Sequence, residues 1–200
     1  LSPASCPWLH VARNPWAEQF SLDLAFAEVR ERMVRDLVDV VEHYPVDGLA
    51  LELQRAVPFF ELDEPDRAGH MNDFVRRLRC ELDRIGAARG RRLELSLWLP
   101  TEGHHRVLRS AWPERFFGEE VWGLDPATWI GEGLVDSLML SLYAQDLDMA
   151  APAAMPPWVE QARGTHTRVY GCAMNLSPRH GAESCARAAA AVHQLAAQLD

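Results

Sequence analysis

Segments with strand periodicity and segments with helix periodicity alternate along this chain, and this alternation restricts the folds that it can adopt. Leucines at every second position predict strands at residues 46–54, 93–99 and 135–143. Apolar residues three and four positions apart predict amphipathic helices at residues 25–43 and 71–85. Strands that are separated by helices form βαβ units, in which the strands run parallel. The sequence therefore predicts an α/β fold with a parallel sheet.

Local signals predict where several elements begin and end. Asp125 followed by Pro126 is typical of a helix start, because Asp caps the first turn and Pro fits its first position. We expect the helix over residues 71–85 to end at Gly86 and Gly90, since glycine commonly follows a helix. Other segments predict a short helix, a fourth strand, an alanine-rich helix and a further strand near the start of the chain: residues 157–163, 167–174, 182–199 and 8–11.

A (β/α)8 barrel accounts for this order of elements, although the chain is short for one. Such a barrel has eight strand–helix units and about 200 residues or more, whereas this 200-residue chain begins within a unit and stops on a helix. We predict a single domain over residues 1–200 that forms a partial TIM barrel, from about the third unit to the seventh helix, with both ends truncated. The alternative is a complete, doubly wound open sheet. No Gly-rich phosphate loop of the type GxGxxG or GxxxxGK[ST] follows a strand to support that alternative.

Charge and composition exclude several classes of function. The net charge of -9 at pH 7 argues against a nucleic acid or an anionic membrane surface as partner, because both require a basic face. No apolar run is long enough to span a bilayer. The four cysteines include no CxxC pair, so neither a zinc knuckle nor a redox motif is expected. Because the chain begins with Leu1 rather than Met, we expect sequence before it, and the lack of a signal peptide says nothing about export.

A carboxylate at the end of the first clear strand is the leading candidate for chemistry. In the run VDGLALELQR (residues 46–55), three leucines share one side of the strand, while Ala50, Glu52 and Gln54 share the other. A carboxylate in a buried strand costs free energy unless it is paired, hydrated or used, and barrel enzymes place catalytic groups at the carboxyl ends of strands. We therefore predict that Glu52 is catalytic. The alternative is an ion pair with Arg55 or with a basic group on the next strand.

Four motifs follow one another in a recognisable order: LDLAFAEVR (residues 22–30), YPVDGLALELQR (residues 44–55), GLDPATW (residues 123–129) and EGLVD (residues 132–136). In this order they resemble the glycosyl-hydrolase-like barrel proteins, the group labelled family 10-like glycosylhydrolase. The likeness runs from residue 22 to residue 145 and continues more weakly to residue 175. The resemblance implies a carbohydrate-directed barrel of bacterial origin, from a group whose members are often secreted or periplasmic.

The chain departs from the family pattern at two positions. Glu52 stands where the family has Asp at the end of the strand, and Ala27 stands where the family has Pro before Glu28. The first departure matters more, because the additional methylene moves the carboxylate by about the length of one C–C bond, and catalytic groups require sub-ångström placement.

Glycoside hydrolysis usually needs two carboxyl groups that flank the scissile bond. We predict Glu52 as nucleophile or base and Glu102, just beyond the strand that ends at Pro100, as proton donor. Neighbouring strands lie about 4.8 Å apart, so acids at adjacent strand ends can face one bond. The alternative for Glu102 is a solvated acid in the long loop of residues 101–123.

Four further residues are candidates for substrate binding: Arg55, Trp98, Tyr143 and Asn175. Arg55 is near enough in sequence to hold Glu52 ionised and oriented. Trp98 can stack on a sugar ring or belong to the core. The hydroxyl of Tyr143 would reach the barrel mouth, and Asn175 can bind a sugar hydroxyl or form a turn.

No cofactor and no metal are predicted. The adjacent His104 and His105 would point apart in an extended chain, so a metal site with Glu102 is a weak alternative. The sequence contains neither HExxH nor GxSxG. Asp47 and Asp136 each precede a strand, so we expect them at the opposite end of the barrel, in turns rather than in the site.

Two functions from different classes remain open, and a carbohydrate is the partner in both. The first is a glycosidase-type barrel, and the second is a carbohydrate-binding barrel that has lost the catalytic acid pair. A barrel enzyme that acts on another small molecule is a third alternative, since this fold hosts many chemistries. A gap of about 5–10 Å between Glu52 and a second carboxylate would favour hydrolysis.

Overall fold

The computed structural model describes residues 9–10, 21–54, 59–61, 63–100, 119–143 and 157–174. From residue 27 onward every two successive strands are separated by helix, as the sequence predicts, and residues 119–122 of the predicted loop 101–123 add a short helix. In chain order the elements are β1 (Leu9–His10), β2 (Ser21–Leu22), α1 (Ala27–His43), β3 (Gly48–Glu52), α2 (Arg67–Ala88), β4 (Glu94–Pro100), α3 (Glu119–Trp122), α4 (Pro126–Gly131), β5 (Ser137–Tyr143), α5 (Pro157–Ala162) and β6 (Arg168–Met174).

Four of these strands form one parallel sheet. Their order across the sheet is β3-β4-β5-β6, the same as their order in the chain, and each adjacent pair is parallel. The predicted α/β fold with a parallel sheet is confirmed, and it is compatible with part of an α/β barrel. The strand predicted near residues 8–11 is present as β1, but it pairs antiparallel with β2. The helix predicted over residues 182–199 lies outside the described residues.

Side-chain alternation gives the sheet two different faces. On one face the leucines of β4 and β5 are buried in the core that the sheet forms with the helices: Leu95, Leu97, Leu99, Leu138 and Leu140. Burying a leucine stabilises a fold by about 1.5–3 kcal/mol. The register places side chains of the opposite parity on the other face, which we call the open face: Ala50, Glu52, Ser96, Trp98, Met139, Ser141 and Tyr170. Of these, Ala50, Glu52 and Tyr170 are exposed.

Helix α2 continues past the end that the sequence predicts. Gly86 does not close it but lies inside it and is buried. Close packing accounts for a glycine at this position, because a Cβ at Gly86 would lie 2.5 Å from the carbonyl oxygen of Arg91, where the chain folds back. The prediction for Gly90 is confirmed, since Gly90 follows the helix with a φ of 67°.

Arg30 holds the turn between β2 and α1. Its guanidinium donates to the carbonyl oxygens of Leu24 and Ala25 at 2.7 Å and 2.9 Å and pairs with Asp73 of α2 at 2.9 Å. Burial disfavours the charge on Asp73, but hydrogen bonds from Arg77 and Arg30 outweigh burial and lower the pKa of this carboxyl. The start of α1 is therefore fixed to α2 through a buried cation.

Asp125 caps α4, as predicted, and also connects it to α2. Its carboxylate accepts a hydrogen bond from the backbone N–H of Thr128 at 3.1 Å and one from Asn72 Nδ2 at 2.9 Å. Asn72 Oδ1 in turn accepts from Trp129 Nε1 at 2.6 Å. Burial opposes ionisation of Asp125, but the hydrogen bonds from Thr128 and Asn72 outweigh it, so the pKa of this carboxyl lies below its ordinary value.

These lowered pKa values predict how stability depends on pH. A carboxyl group whose pKa is lower in the folded state contributes stability that is fully present above its unfolded pKa of about 3.9 and is lost as pH falls through the folded value. We expect Asp125→Asn to flatten the decline in the free energy of unfolding below about pH 4. Urea unfolding of both proteins over a pH series measures this. Parallel pH curves for the variant and the parent would contradict the assignment.

A buried ion-pair cluster lies at the amino ends of β4 and β5. Asp136 accepts hydrogen bonds from Arg79 Nη1 at 3.1 Å, Arg92 Nε at 2.6 Å and the backbone N–H of Leu95 at 2.8 Å. Arg79, which is also buried, donates to the carbonyl oxygen of Leu93 at 2.9 Å. The predicted position of Asp136 before a strand is confirmed. Asp136 lies in the bend before β5, in agreement with the expected turn, and its carboxylate also accepts hydrogen bonds from three donors that the sequence did not predict.

Candidate functional site

The carboxyl ends of β3, β4, β5 and β6 meet at one edge of the sheet, which we call the carboxyl edge. Glu52 is the last residue of β3, and the register places it beside Trp98 of β4. The same row continues through Met139 of β5 to Tyr170 of β6. Since neighbouring strands lie about 4.8 Å apart, these side chains form a continuous row across the open face. The row meets the carboxyl edge at Glu52 and lies further from it in β5 and β6, where Met139 and Tyr170 are the third residues of their strands.

The Glu52 carboxylate takes part in a hydrogen-bonded network on the open face. Gln54 Nε2 donates to Glu52 Oε1 at 3.0 Å, and Gln54 Oε1 accepts a hydrogen bond from Ser141 Oγ of β5. The Glu52 side chain is exposed, whereas Gln54 and Ser141 are buried. The network therefore joins an accessible carboxylate to two buried polar groups.

Trp98 lies next to Glu52 on the neighbouring strand. The residue is partly exposed, but its Nε1 atom is buried, and none of the described residues accepts a hydrogen bond from it. A buried indole N–H usually has an acceptor. The position of Trp98 at the carboxyl edge agrees with the predicted placement, and its role in stacking on a sugar stays a prediction.

The other predicted site residues are described only in part. Arg55, Glu102 and Asn175 lie outside the described residues. Tyr143 is the last residue of β5, so its backbone is at the carboxyl edge as predicted. The structure describes the backbone of Tyr143 but not its side chain. The roles assigned to these four residues therefore stay predictions.

A second carboxylate on the described part of the open face lies at the other end of the strands. Glu94 begins β4 and pairs with Arg168 Nη2 at 2.7 Å. Glu94 precedes Trp98 by four residues, and at about 3.3 Å per residue this places it about 13 Å along the strand from the row of Glu52. That separation exceeds the range of about 5–10 Å that glycoside hydrolysis uses, so Glu94 is not a suitable partner for Glu52.

Asp23 is a further carboxyl group close to the segment that follows β3. The backbone N–H of its neighbour Leu24 donates to the carbonyl oxygen of Phe59 in that segment at 3.0 Å. Asp23 is buried, and its Oδ1 accepts from the backbone N–H of Ala25 at 2.9 Å. This contact is typical of an aspartate that forms a turn, so we assign Asp23 to the start of α1 rather than to the site.

Sequence analysis missed the contribution of Gln54 and Ser141. A signal was present, because both residues have the parity of the open face and both are near the carboxyl ends of their strands. The strand pattern places residues on a face but does not give the distance between strands that are not consecutive in the sheet. The contact between Gln54 and Ser141 spans 87 positions of sequence and crosses β4.

Cys172 lies one row beyond Tyr170 on the open face, beside Ser141. Burial raises the pKa of its thiol, so the thiol is protonated at neutral pH. A cysteine nucleophile needs the thiolate form, which electropositive surroundings favour and burial in apolar surroundings disfavours. Cysteine-based nucleophilic catalysis at this edge is therefore not supported.

In the part of the chain that the structure describes, no three residues of the types His, Cys, Asp and Glu are close enough to hold a metal ion together. The helices within the same ranges are too short or too polar to span a bilayer. Glu102, His104 and His105, which sequence analysis considered as a weak metal site, lie outside the described residues.

Comparison with known proteins gives no family for this chain. No protein-family model matches it, and no curated protein matches it at a significant level. The likeness to the glycosyl-hydrolase-like barrel proteins therefore stays a prediction from the motifs.

Proposed function

We propose that the carboxyl edge of the open face binds a carbohydrate and that Glu52 takes part in hydrolysis of a glycosidic bond. The observation that carries this proposal is the accessible Glu52 carboxylate at a strand end, next to the Trp98 indole and hydrogen-bonded to Gln54. A carboxylate beside an aromatic ring suits a sugar, because the ring supports its apolar face while the carboxylate accepts from its hydroxyls.

The proposed fold around this site is a (β/α)8 barrel with the open face turned toward its interior. The strands β3 to β6 follow one another without reversal, and this order favours barrel winding over a doubly wound sheet, in which the order reverses at a switch point. In a barrel, residues at the carboxyl ends of strands carry the chemistry. Glu52 and Tyr143 both occupy such positions.

The proposed reaction uses two carboxyl groups. Glu102 donates a proton to the glycosidic oxygen while the bond from this oxygen to the anomeric carbon breaks. In a retaining reaction, Glu52 bonds to the anomeric carbon as the leaving group departs, and a water that Glu102 deprotonates then breaks this bond and frees Glu52. In an inverting reaction, Glu52 removes a proton from the water that attacks the anomeric carbon. Trp98 stacks on the sugar ring, Arg55 orients Glu52, and the side chains of Tyr143 and Asn175 bind sugar hydroxyls.

A specific observation favours a second candidate function, carbohydrate binding without hydrolysis. Of the two carboxylates on the described part of the open face, Glu94 is too far from Glu52 to act with it. Hydrolysis therefore requires Glu102. If Glu102 is a solvated loop acid, the same edge can bind a sugar but lacks a proton donor.

The acid role of Glu102 is tested with two kinds of leaving group. Wild-type protein and Glu102→Gln are assayed on dinitrophenyl glycosides, which leave without protonation, and on the corresponding methyl glycosides, which need an acid. We expect Glu102→Gln to lower kcat/KM on methyl glycosides by about 100- to 10,000-fold, the usual contribution of general acid catalysis, and to retain most of kcat/KM on dinitrophenyl glycosides.

Each alternative gives a different result in this assay. Equal losses on both substrates would contradict a proton-donor role for Glu102. If wild-type protein binds cello-, chito- or malto-oligosaccharides in calorimetry but hydrolyses none of them, the second candidate function is correct. If it neither binds nor hydrolyses any of a broad panel, both candidate functions are wrong.

A further inference from the structure

Gln54 occupies an unusual place next to the candidate site, because it is polar, buried and bonded at both ends. Its side chain is 1% exposed, and that of Ser141 is fully buried. Ser141 lies beside Pro100 of β4, so the Gln54 side chain crosses β4 to reach it. The amide thereby joins β3, the strand of Glu52, to β5.

The carboxylate end fixes the direction of these hydrogen bonds. An ionised carboxylate only accepts hydrogen bonds, whereas a serine hydroxyl can donate or accept. The Gln54 N–H therefore donates to Glu52 at 3.0 Å, and the Gln54 carbonyl oxygen accepts from the Ser141 hydroxyl. Turning the amide over would place its carbonyl oxygen against the carboxylate, which is unfavourable.

We propose that Gln54 and Ser141 are positioning residues that orient the Glu52 carboxylate toward the carboxyl edge, an inference that rests on the proposed function. Ser141 holds the carbonyl end of the amide from β5, and the NH2 end then holds one oxygen of Glu52. A glutamate side chain has one more rotatable bond than an aspartate side chain and can therefore adopt more rotamers. The hydrogen bond from the buried Gln54 amide limits the rotamers of Glu52. Catalytic groups work within a narrow range of positions.

Ser141→Ala tests this role, with Ser137→Ala as the matched control. Ser137 belongs to the same strand and lies in the row of Ala50, where its hydroxyl pairs with that of Ser96 at 2.6 Å. On a glycoside that wild-type protein hydrolyses, we expect Ser141→Ala to lower kcat by up to about 100-fold, as ångström-scale misplacement does, with little change in KM. Ser137→Ala should keep wild-type kcat and KM.

A kinetic cycle separates positioning from a general loss of stability. If Ser141 acts through Glu52, adding Ser141→Ala to Glu52→Gln should produce no further decrease in kcat. A further decrease of the same size as in the wild-type background, or equal effects of Ser141→Ala and Ser137→Ala, would overturn the proposal.

A spectroscopic readout keeps the inference testable if the proposed function fails. The side-chain NH2 signals of Gln54 in a ¹H–¹⁵N spectrum report on both of its hydrogen bonds. We expect these signals to shift in Ser141→Ala and in Glu52→Gln but not in Ser137→Ala. Signals that respond to neither of the first two substitutions would overturn the positioning role, whatever the protein does to carbohydrates.

Discussion

Replacing Glu52 by Gln is expected to lower kcat for glycoside hydrolysis by about 100- to 10,000-fold, because the introduced amide is neither a nucleophile nor a proton acceptor. The substitution keeps the size of the side chain and an oxygen that can accept from Gln54 Nε2. Since Glu52 is exposed, we expect the melting temperature to change little. Steady-state kinetics on a glycoside that wild-type protein hydrolyses gives the measurement.

Glu94→Gln provides the control for this prediction. Glu94 is also an exposed glutamate, but it lies at the amino end of β4, where it pairs with Arg168. Exposed ion pairs contribute about 0–1 kcal/mol to stability, so both activity and folding should survive. Wild-type turnover in Glu52→Gln, or an equal loss in Glu94→Gln, would remove Glu52 from the mechanism.

Asp136→Ala is expected to destabilise the fold by about 3–5 kcal/mol, the usual cost of removing one partner from a buried ion pair. The substitution removes the acceptor of Arg79 Nη1 and of the backbone N–H of Leu95, both of which are buried. Arg92 loses the same acceptor. Arg79 keeps its ion pair with Asp83 and its hydrogen bond to the carbonyl oxygen of Leu93, both through Nη2. Urea unfolding followed by circular dichroism measures the free energy of unfolding.

Asp47→Ala is the matched control, because Asp47 also stands directly before a strand. Its side chain is 85% exposed and pairs with Arg91 at the surface, so its removal should cost at most about 1 kcal/mol. Similar losses of stability in the two variants would show that burial of the Asp136 ion pair does not determine its contribution.

Most elements of this fold were predictable from sequence because their signals are local. Leucine alternation gave strands within two residues of β3 to β5 at each end, and Asp125 with Pro126 gave the start of α4. The two-residue strand β2 was not predicted, and α3 lies in a segment that was predicted as a loop. Gly86 was misassigned because its reason is tertiary: the carbonyl oxygen of Arg91 approaches it too closely for a Cβ. A local sequence pattern carries no information about this contact between the helix and the chain that follows it.

Contacts between distant parts of the chain determine the features that sequence analysis did not predict. Asp47 and Asp136 look alike in sequence, but Arg79, which lies 57 positions from Asp136, makes only the second a buried ion-pair centre. At the candidate site, alternation placed Glu52 and Trp98 on one face, and parallel pairing then brought them together. Gln54 and Ser141 were not predicted as a pair, because strand periodicity does not show which side chain reaches across β4.

The most direct test of the central claim, that a carbohydrate binds at the carboxyl edge beside Glu52, is to observe Trp98 during ligand titration. The indole N–H signals in a ¹H–¹⁵N spectrum report each tryptophan separately, and Trp98→Phe identifies the signal of Trp98 among the seven tryptophans of the chain. On addition of an oligosaccharide that binds in calorimetry, we predict a saturable shift of the Trp98 signal at the calorimetric affinity. Saturated binding that leaves the Trp98 signal unmoved would contradict the claim.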